Sequence, residues 1–313
     1  MYHYSEEALG CQYLFCKNLI YISAFSRFLS QTPDFSRILT RHFTFLQSPE
    51  SPAGEKGIAR PADFLYNRTG FEKGGRKMQK ILGYMRKAIT DYQMLEDGDR
   101  VAVGVSGGKD SVVLLTGLCR LRKFIGIDYQ VVAVTLDPMF GGVPTDYTPI
   151  QKLCDQLEVP FVLKRTDIGP VVFDVRQEKN PCSLCARMRR GALHDAAKEK
   201  GCNKIALGHH WDDAVETFLL NLFHEGRIGC FSPVSYLSRK DLTMIRPLVF
   251  APERDIGSAQ RRCRLPVVKS KCPADTFTQR QWAKEYLDTM EKEHPGFKKR
   301  LFGAMVRAHV SGW

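Results

Sequence analysis

Residues 101–115, VAVGVSGGKDSVVLL, place a glycine-rich turn between two apolar stretches of a 313-residue chain. Adjacent glycines let the backbone approach a ligand closely, and the N–H groups at the start of a helix attract anions. Asp110 follows Lys109, so the turn differs from the G-x-x-x-x-G-K-S/T phosphate loop. An ordinary strand–turn–helix would use the same glycines, but the donors of the turn favour a pyrophosphate site. The residues of the turn are Ser106, Gly107, Gly108, Lys109, Asp110 and Ser111.

A C-x-x-C pair in NPCSLCARMRRGAL, formed by Cys182 and Cys185, is the second group with potential chemistry. Two thiols at this spacing can bind one metal centre, and zinc, an iron–sulfur cluster and a redox disulfide all remain open. Zinc would usually take a second pair of ligands, and a redox pair would need a thioredoxin-like fold. Cys119, Cys154 and Cys202 lie among apolar residues and are expected to be core thiols.

Alternating strand and helix patterns predict the elements that position these residues. The predicted strands are 101–105, 130–136, 160–165 and 203–207, and the predicted helices are 110–123, 146–157, 187–200 and 212–224. Strands that alternate with helices imply right-handed crossovers, so we predict an α/β fold with a Rossmann-like parallel sheet. The basic part that starts near 239 is predicted to end in helices near 276–292 and 297–309.

Polar residues follow three of these strands, and the carboxyl ends of parallel strands meet at one edge of a sheet. The first strand leads into the glycine-rich turn, the second ends at Asp137, and the fourth is followed by GHHWDD. We therefore predict a shared nucleotide site. Simpler roles remain open: Asp137 as a turn residue, Asp110 or Ser111 as a helix cap, and the histidines and aspartates as a metal cluster.

Composition restricts the cellular context. The net charge of +12 makes polyanions plausible partners, although a basic pI alone is weak evidence. Residues 11–30 are apolar but interrupted by Lys17 and Arg27, which argues against a signal peptide, and no run of 18 apolar residues occurs. We expect a cytoplasmic protein without a membrane anchor, in which the ten cysteines do not form a disulfide framework.

The motifs together resemble a known family. SGGKDS after a buried strand resembles the pyrophosphatase loop of ATP-dependent adenylating enzymes, which include lysidine synthetase, argininosuccinate synthetase and the tRNA thiolases. LGHHWDDAVETFLLNLF is similar to the companion motif of the tRNA-modifying branch, and NPCSLCARMRRGAL resembles the tRNA 2-thiocytidine synthetase family. IRPL at 245–248, LPVV at 265–268 and HPGFKKRLFGAM extend the resemblance over roughly residues 78–310.

The resemblance implies a pyrophosphatase-loop, adenine nucleotide alpha-hydrolase-like domain that makes 2-thiocytidine at position 32 of the tRNA anticodon loop. It also implies ATP, Mg²⁺, a 4Fe-4S cluster, a sulfur donor such as a cysteine desulfurase, and a homodimer. In this interpretation Lys109 and the metal ion neutralise pyrophosphate, Asp110 helps to hold the metal, and Asp137 lies near the ribose or adenine. The implied ATP-binding residues are Ser106, Gly107, Gly108, Lys109, Asp110, Ser111, Asp137, Gly208, His209 and Asp213.

Cys182, Cys185 and Cys272 are the cluster ligands that we predict from this resemblance. Cys272 follows the LPVV segment on an expected loop, whereas Cys263 lies in a helix-like stretch and is expected to be a packed thiol. Ordinary 4Fe-4S clusters take four cysteines, so three ligands would leave one iron open to hold a hydrosulfide.

Three regions are predicted along the chain: 1–77, 78–250 and 251–313. The first lacks a clear periodicity and ends in a stretch rich in Gly, Pro and charge, which predicts disorder. EKGGRKM can be encoded with a GGAGG run shortly before the ATG, as at a bacterial ribosome-binding site, so Met78 is the expected natural start. The second region is the expected ATP-binding catalytic domain, and the third is a basic helical part that adds a cluster ligand and tRNA contacts.

Residues 239–271 hold nine Lys or Arg residues against three acidic ones. A charge run is usually a solvated helix face, but this run adjoins the predicted crevice, which favours tRNA binding. The predicted RNA-binding residues are Arg187, Arg189, Arg190, Arg261, Arg262 and Arg264. Three alternatives remain: a lysidine synthetase, which needs no cysteine cluster; a 2-thiouridine synthetase; and a non-catalytic nucleotide-binding regulator.

Overall fold

The computed structural model describes residues 72–177, 181–274 and 279–313. The prediction of a disordered extension over residues 1–77 therefore falls mostly outside the described residues. Helix α1, Glu72–Asp91, begins before Met78 and was not predicted. Its apolar residues recur every three to four positions, and Ile81, Met85 and Ile89 are buried against the core.

A six-stranded sheet with the order β3-β2-β1-β4-β6-β5 forms the centre of the fold. The strands are β1 Asp99–Gly104, β2 Tyr129–Asp137, β3 Phe161–Arg165, β4 Lys204–Ala206, β5 Val234–Leu237 and β6 Leu242–Ile245. Every neighbouring pair is parallel except β5 with β6. The predicted Rossmann-like parallel sheet is confirmed.

Strands β5 and β6 were not predicted; β6 lies in the part of the chain that the sequence analysis described only as basic, and β5 lies just before that part. Each has four residues, which is too short for a periodicity to separate a strand from a loop. Strand β6 is nevertheless central: it pairs with β4, and Leu242 and Ile245 are fully buried. The charged turn between the two strands contains Asp241 with a φ of 48°.

In the described residues seven further α-helices follow α1, and most lie close to their predicted positions. They are α2 Lys109–Leu121, α3 Thr148–Gln156, α4 Pro181–Glu199, α5 Trp211–His224, α6 Glu253–Cys263, α7 Gln279–Glu293 and α8 Phe297–Arg307. Helix α4 begins six residues earlier than predicted, so the C-x-x-C pair lies in its first turn and not in a loop before it.

Both faces of the sheet are covered, which explains why β1 is apolar without alternation. Val101 and Val103 face a core that α1, α2 and α6 share, whereas Ala102 faces a second core beneath α4. All three side chains have no exposed surface. Packing on both faces fixes the register of such a strand, and this in turn fixes the position of the glycine-rich turn at its end. No helix of the described residues is long and apolar enough to cross a membrane.

Candidate active site

The glycine-rich turn forms a narrow cradle between β1 and α2. Helix α2 begins at Lys109 and Gly108 occupies the N-cap, so the prediction that Asp110 or Ser111 caps this helix is wrong. No side chain caps the helix, and the Ser111 hydroxyl instead donates to the Gly108 carbonyl at 2.9 Å. The Ser106 hydroxyl lies 3.2 Å from that of Ser111. The first N–H groups of α2 thus lack a side-chain acceptor, as an anion site requires.

Gly107 is required by both its backbone conformation and its surroundings. Its φ is +87°, and a Cβ atom there would lie 2.9 Å from the Cβ of Val268. The Gly107 carbonyl accepts a hydrogen bond from the Val268 N–H at 3.0 Å. The segment after α6 is therefore tied to the cradle, and Cys272 lies only four residues further, at most about 14 Å away.

The second motif reaches the cradle through a close approach at Gly208. A Cβ atom there would lie 3.2 Å from the Asp110 carbonyl carbon and 3.3 Å from the Ser111 nitrogen. Such contacts are tighter than most that a Cβ makes, so a residue without a side chain suits the close approach of the chain after β4 to the first turn of α2. The structure therefore brings SGGKDS and GHHWDD together, as the sheet topology predicted.

The two histidines of this motif have different roles from those expected. His209, predicted on the phosphate side, packs its ring against Phe231 at a centroid distance of 5.0 Å. Burial, with a further contribution from Arg246, lowers the pKa of His209 to about 4, so its ring is neutral at pH 7. His210 is the histidine that faces the cradle: its Nε2 lies 3.9 Å from Oδ1 of Asp110. Sequence reasoning left His210 out of the site because adjacent histidines give no sign of which one points inward.

Asp212 and Asp213 organise the helices around the crevice. The Asp213 carboxylate accepts from the His210 N–H at 2.9 Å in a capping box, and it pairs with Arg280 at 2.7 Å. The Asp212 carboxylate accepts from the Glu253 N–H at 2.7 Å and so caps α6. Both aspartates therefore have structural partners at the edge of the predicted nucleotide site.

Asp137 is fully buried at the end of β2. Its two carboxylate oxygens accept from the backbone N–H groups of Met139 at 3.1 Å and Thr145 at 2.9 Å. It therefore has no exposed surface with which to contact a ribose or adenine, and it shapes the loop after β2. Its contacts are those of a turn residue, and in this conformation its carboxylate cannot make the predicted direct contact with ATP.

Lys109 enters an ion network that sequence reasoning missed. Its ammonium group lies 2.9 Å from Glu253 and 3.3 Å from Asp110. Glu253 also pairs with Lys284 at 2.8 Å. Although burial opposes the charge, hydrogen bonds from Lys284 and Lys109 lower the pKa of Glu253 to about 2. Glu253 and Lys284 belong to α6 and α7, and nothing in their local sequence marks them as partners of the cradle.

Two of the predicted cluster ligands, Cys182 and Cys185, lie near the start of α4, and the third, Cys272, lies close enough to Cys185 to affect its pKa. Cys185 is buried, Cys182 is exposed and Cys272 is half-buried. Burial raises the pKa of Cys185, the nearby Arg189 guanidinium opposes this, and the thiols of Cys272 and then Cys182 raise it further. All three thiols are therefore electrostatic neighbours. Cys263 instead packs against the main hydrophobic core.

The predicted RNA-binding arginines are exposed on two helices that border the crevice. One group follows the cysteine pair on α4, and the other lies at the end of α6. The exposed residues are Arg187, Arg189, Arg190, Arg261, Arg262 and Arg264. Arg264 ends α6 in the left-handed conformation, with a φ of 53°, and the chain then turns toward the cradle.

The chain is similar to known proteins. A family model described as a PP-loop domain matches residues 78–285. The chain is 38% identical over 233 residues to the tRNA-cytidine(32) 2-sulfurtransferase of Citrifermentans bemidjiense, covering 74% of this chain and 91% of that protein. It is 40% identical to the enzyme of the same name from Geotalea uraniireducens, covering 74% and 92%. A solved structure, the U34-tRNA thiolase NcsA from Methanococcus maripaludis with its 4Fe-4S cluster, matches with 26% identity and a TM-score of 0.63, covering 74% and 78%.

Proposed function

The chain belongs to the family of tRNA-cytidine(32) 2-sulfurtransferases, and we propose that the crevice described above carries out their reaction. ATP adenylates the O2 atom of a cytidine in the anticodon loop, and sulfur replaces that oxygen. Transfer of AMP breaks the bond between the α and β phosphates and releases pyrophosphate, and departure of AMP then follows attack by sulfur at C2. Adenylation is required because a pyrimidine carbonyl oxygen is a poor leaving group.

The cradle supplies the electrostatics of the first step. In this proposal the N–H groups at the start of α2 and the ammonium group of Lys109, once released from Glu253, stabilise the departing pyrophosphate, where negative charge increases. The hydroxyls of Ser106 and Ser111 lie beside them and can donate to phosphate oxygens. These donors are held by β1 and α2, so they need little rearrangement during the reaction.

Mg²⁺ fits the cradle at Asp110. Oδ1 of this carboxylate is buried and has no hydrogen-bond partner among the described residues. Such an oxygen suits a hard cation, and Mg²⁺ is usually held by one or two carboxylates together with substrate phosphates. Asp110 would thus hold the ion against the pyrophosphate, where the positive charge of Mg²⁺ would add to that of Lys109 in stabilising the leaving group.

A 4Fe-4S cluster fits the thiol group formed by Cys182, Cys185 and Cys272. No three His, Cys, Asp or Glu side chains in the described ranges are arranged to hold a single metal ion. A four-iron cluster differs because each cysteine binds a different iron, so its ligands are spread more widely. When bound, the cluster would supply the sulfur nucleophile at the iron that no cysteine holds. Arg189, beside Cys185, places a positive charge next to the thiolates.

The hydrogen bond between Val268 and Gly107 is the observation that best supports a thiolase in this crevice. The bond ties the segment that carries Cys272 to Gly107, whose positive φ and close neighbours leave no room for a side chain. The thiol group and the phosphate cradle are thereby held beside each other, as sequential adenylation and sulfur transfer on one base require.

The test is a thiolation assay with the anaerobically purified full chain. Unmodified tRNA, ATP, Mg²⁺ and sulfide should yield 2-thiocytidine on nucleoside mass spectrometry, with AMP and pyrophosphate formed in equal amounts. Iron and zinc analysis of the same sample should find iron. Thiouridine as the product, lysine incorporation, or ATP binding without any tRNA product would each contradict the proposal and would identify the alternative.

Changing Arg261, Arg262 and Arg264 together to Ala is expected to weaken tRNA binding across all tRNA sequences. The side chains are exposed, so the loss is of phosphate contacts and not of packing. The slope of log affinity against log salt should become shallower by about 0.7–0.9 for each lost contact. The matched control neutralises Lys152 and Lys200, exposed cations on α3 and at the end of α4. A salt slope equal to that of the control would show that the arginines do not face RNA.

The resemblance also supports three proposals about the surroundings of the enzyme. A cysteine desulfurase or a related donor supplies the sulfur, the protein acts in the cytoplasm where tRNA is modified, and it forms a homodimer. Sedimentation of the purified chain measures the last of these, and a monomer at micromolar concentration would contradict it.

A further inference from the structure

One carboxylate holds two lysines at the mouth of the cradle. Oε1 of Glu253 lies 2.9 Å from the ammonium group of Lys109, and Oε2 lies 2.8 Å from that of Lys284. The three side chains are between about a quarter and two fifths exposed, so a ligand can reach them. The cation of the cradle is therefore paired with an internal anion.

Helix α7 brings its charges into the crevice from outside the nucleotide-binding sheet. Arg280 and Lys284 lie one turn apart on it; Arg280 pairs with Asp213 at 2.7 Å and Lys284 with Glu253. Packing of Val215 and Leu219 on α5 against Ala283 and Leu287 on α7 fixes this arrangement. The helix is therefore positioned by its apolar face while its cations contact the carboxylates around the cradle.

Glu253 and Asp110 occupy two of the three N–H donors of Lys109, so a full set of contacts with the pyrophosphate requires Lys109 to change partner. When Lys109 turns to the pyrophosphate, one oxygen of Glu253 loses its cation and the carboxylate faces an approaching polyanion. Like charges at short distance in a partly desolvated crevice repel strongly. Lys284 remains on the other oxygen and can neutralise the carboxylate.

We propose that Lys284 is a positioning residue for ATP: its charge compensates Glu253 and so allows Lys109 to leave that carboxylate for the pyrophosphate. The inference deepens the proposed function, because it concerns the adenylation step of the same site. It predicts that Lys284 is needed only as long as Glu253 is charged.

The test measures the equilibrium affinity of the full chain for ATP with Mg²⁺ by calorimetry, in three variants. Lys284→Met should weaken ATP binding about tenfold, because it leaves a partly buried carboxylate uncompensated when Lys109 turns to the pyrophosphate. Glu253→Gln keeps the length and the hydrogen-bonding capacity of the side chain, and it should bind ATP at least as tightly as the wild type. The double variant should return to within about twofold of the wild type, since the charge that Lys284 compensates is gone.

Lys292→Met is the matched control, because Lys292 is an exposed lysine two turns further along the same helix. An unchanged affinity in Lys284→Met would overturn the proposal. A weakened affinity that Glu253→Gln does not restore would also overturn it and would indicate a structural role or a direct phosphate contact. If Lys284→Met does not fold, the single variant Glu253→Gln provides the test. ATP binding by this variant that is weaker than that of the wild type overturns the proposal. If the wild-type chain binds ATP but forms no 2-thiocytidine, the proposed function is refuted. The comparison of ATP affinities among the variants still tests the role of Lys284 in that case.

Discussion

Cys272→Ser is expected to abolish both the brown absorbance of the anaerobically purified protein and its thiolation activity. The physical reason is the position of the thiols: Cys182 and Cys185 lie near the start of α4, and both Cys272 and Cys182 are near enough to Cys185 to raise its pKa. A cluster that has lost one of only three ligands should not survive purification. Binding of ATP should persist, because the cradle holds its donors on β1 and α2 and not on the segment that carries Cys272.

Cys263→Ser is the matched control, since it removes a thiol nine residues away on the preceding helix. Cys263 is half-buried against the main hydrophobic core and has no part in the thiol group around Cys185. This variant should keep the absorbance, the iron content and the activity, with at most a modest loss of stability. If Cys263→Ser bleaches the protein and Cys272→Ser does not, the proposed ligand set is incorrect.

Lys109→Ala should reduce thiolation by at least about 100-fold, because an electrostatic stabiliser in a preorganised site is worth roughly 3 kcal/mol or more. The fold should survive. The Lys109 side chain is 36% exposed, and Glu253 keeps its second cation, Lys284, when Lys109 is lost. The measurement is single-turnover formation of 2-thiocytidine together with the melting temperature.

Lys200→Ala provides the comparison for this variant, because Lys200 is an exposed lysine beyond the end of α4. Its activity should equal that of the wild type. Near-normal thiolation by Lys109→Ala at an unchanged melting temperature would rule out the role of this ammonium group at the pyrophosphate. A much lower melting temperature would instead assign Lys109 to stability.

The sheet and the meeting of its two motifs could be predicted because they depend on local patterns. The apolar run of β1 and the glycines at its end are visible in a few residues, and parallel topology then brings SGGKDS and GHHWDD to one edge. Strands β5 and β6 were missed because four residues carry too little periodicity. The beginning of α4, with Pro181 as its first residue, was not predicted, although proline is well tolerated at the start of a helix.

By itself, the amino-acid sequence determined the chemistry of this protein: the phosphate cradle, the cysteine pair and a basic surface are properties of residue type and short spacing. The assignment of each side chain within the site depended on long-range packing. His209 turns toward Phe231 while His210 faces Asp110, and this choice follows from contacts with residues that are distant in the chain. Lys109 and Lys284, 175 positions apart, meet at one carboxylate because the apolar face of α7 packs on α5. Such contacts are set by the burial of apolar surface across the whole fold, and no local pattern records them.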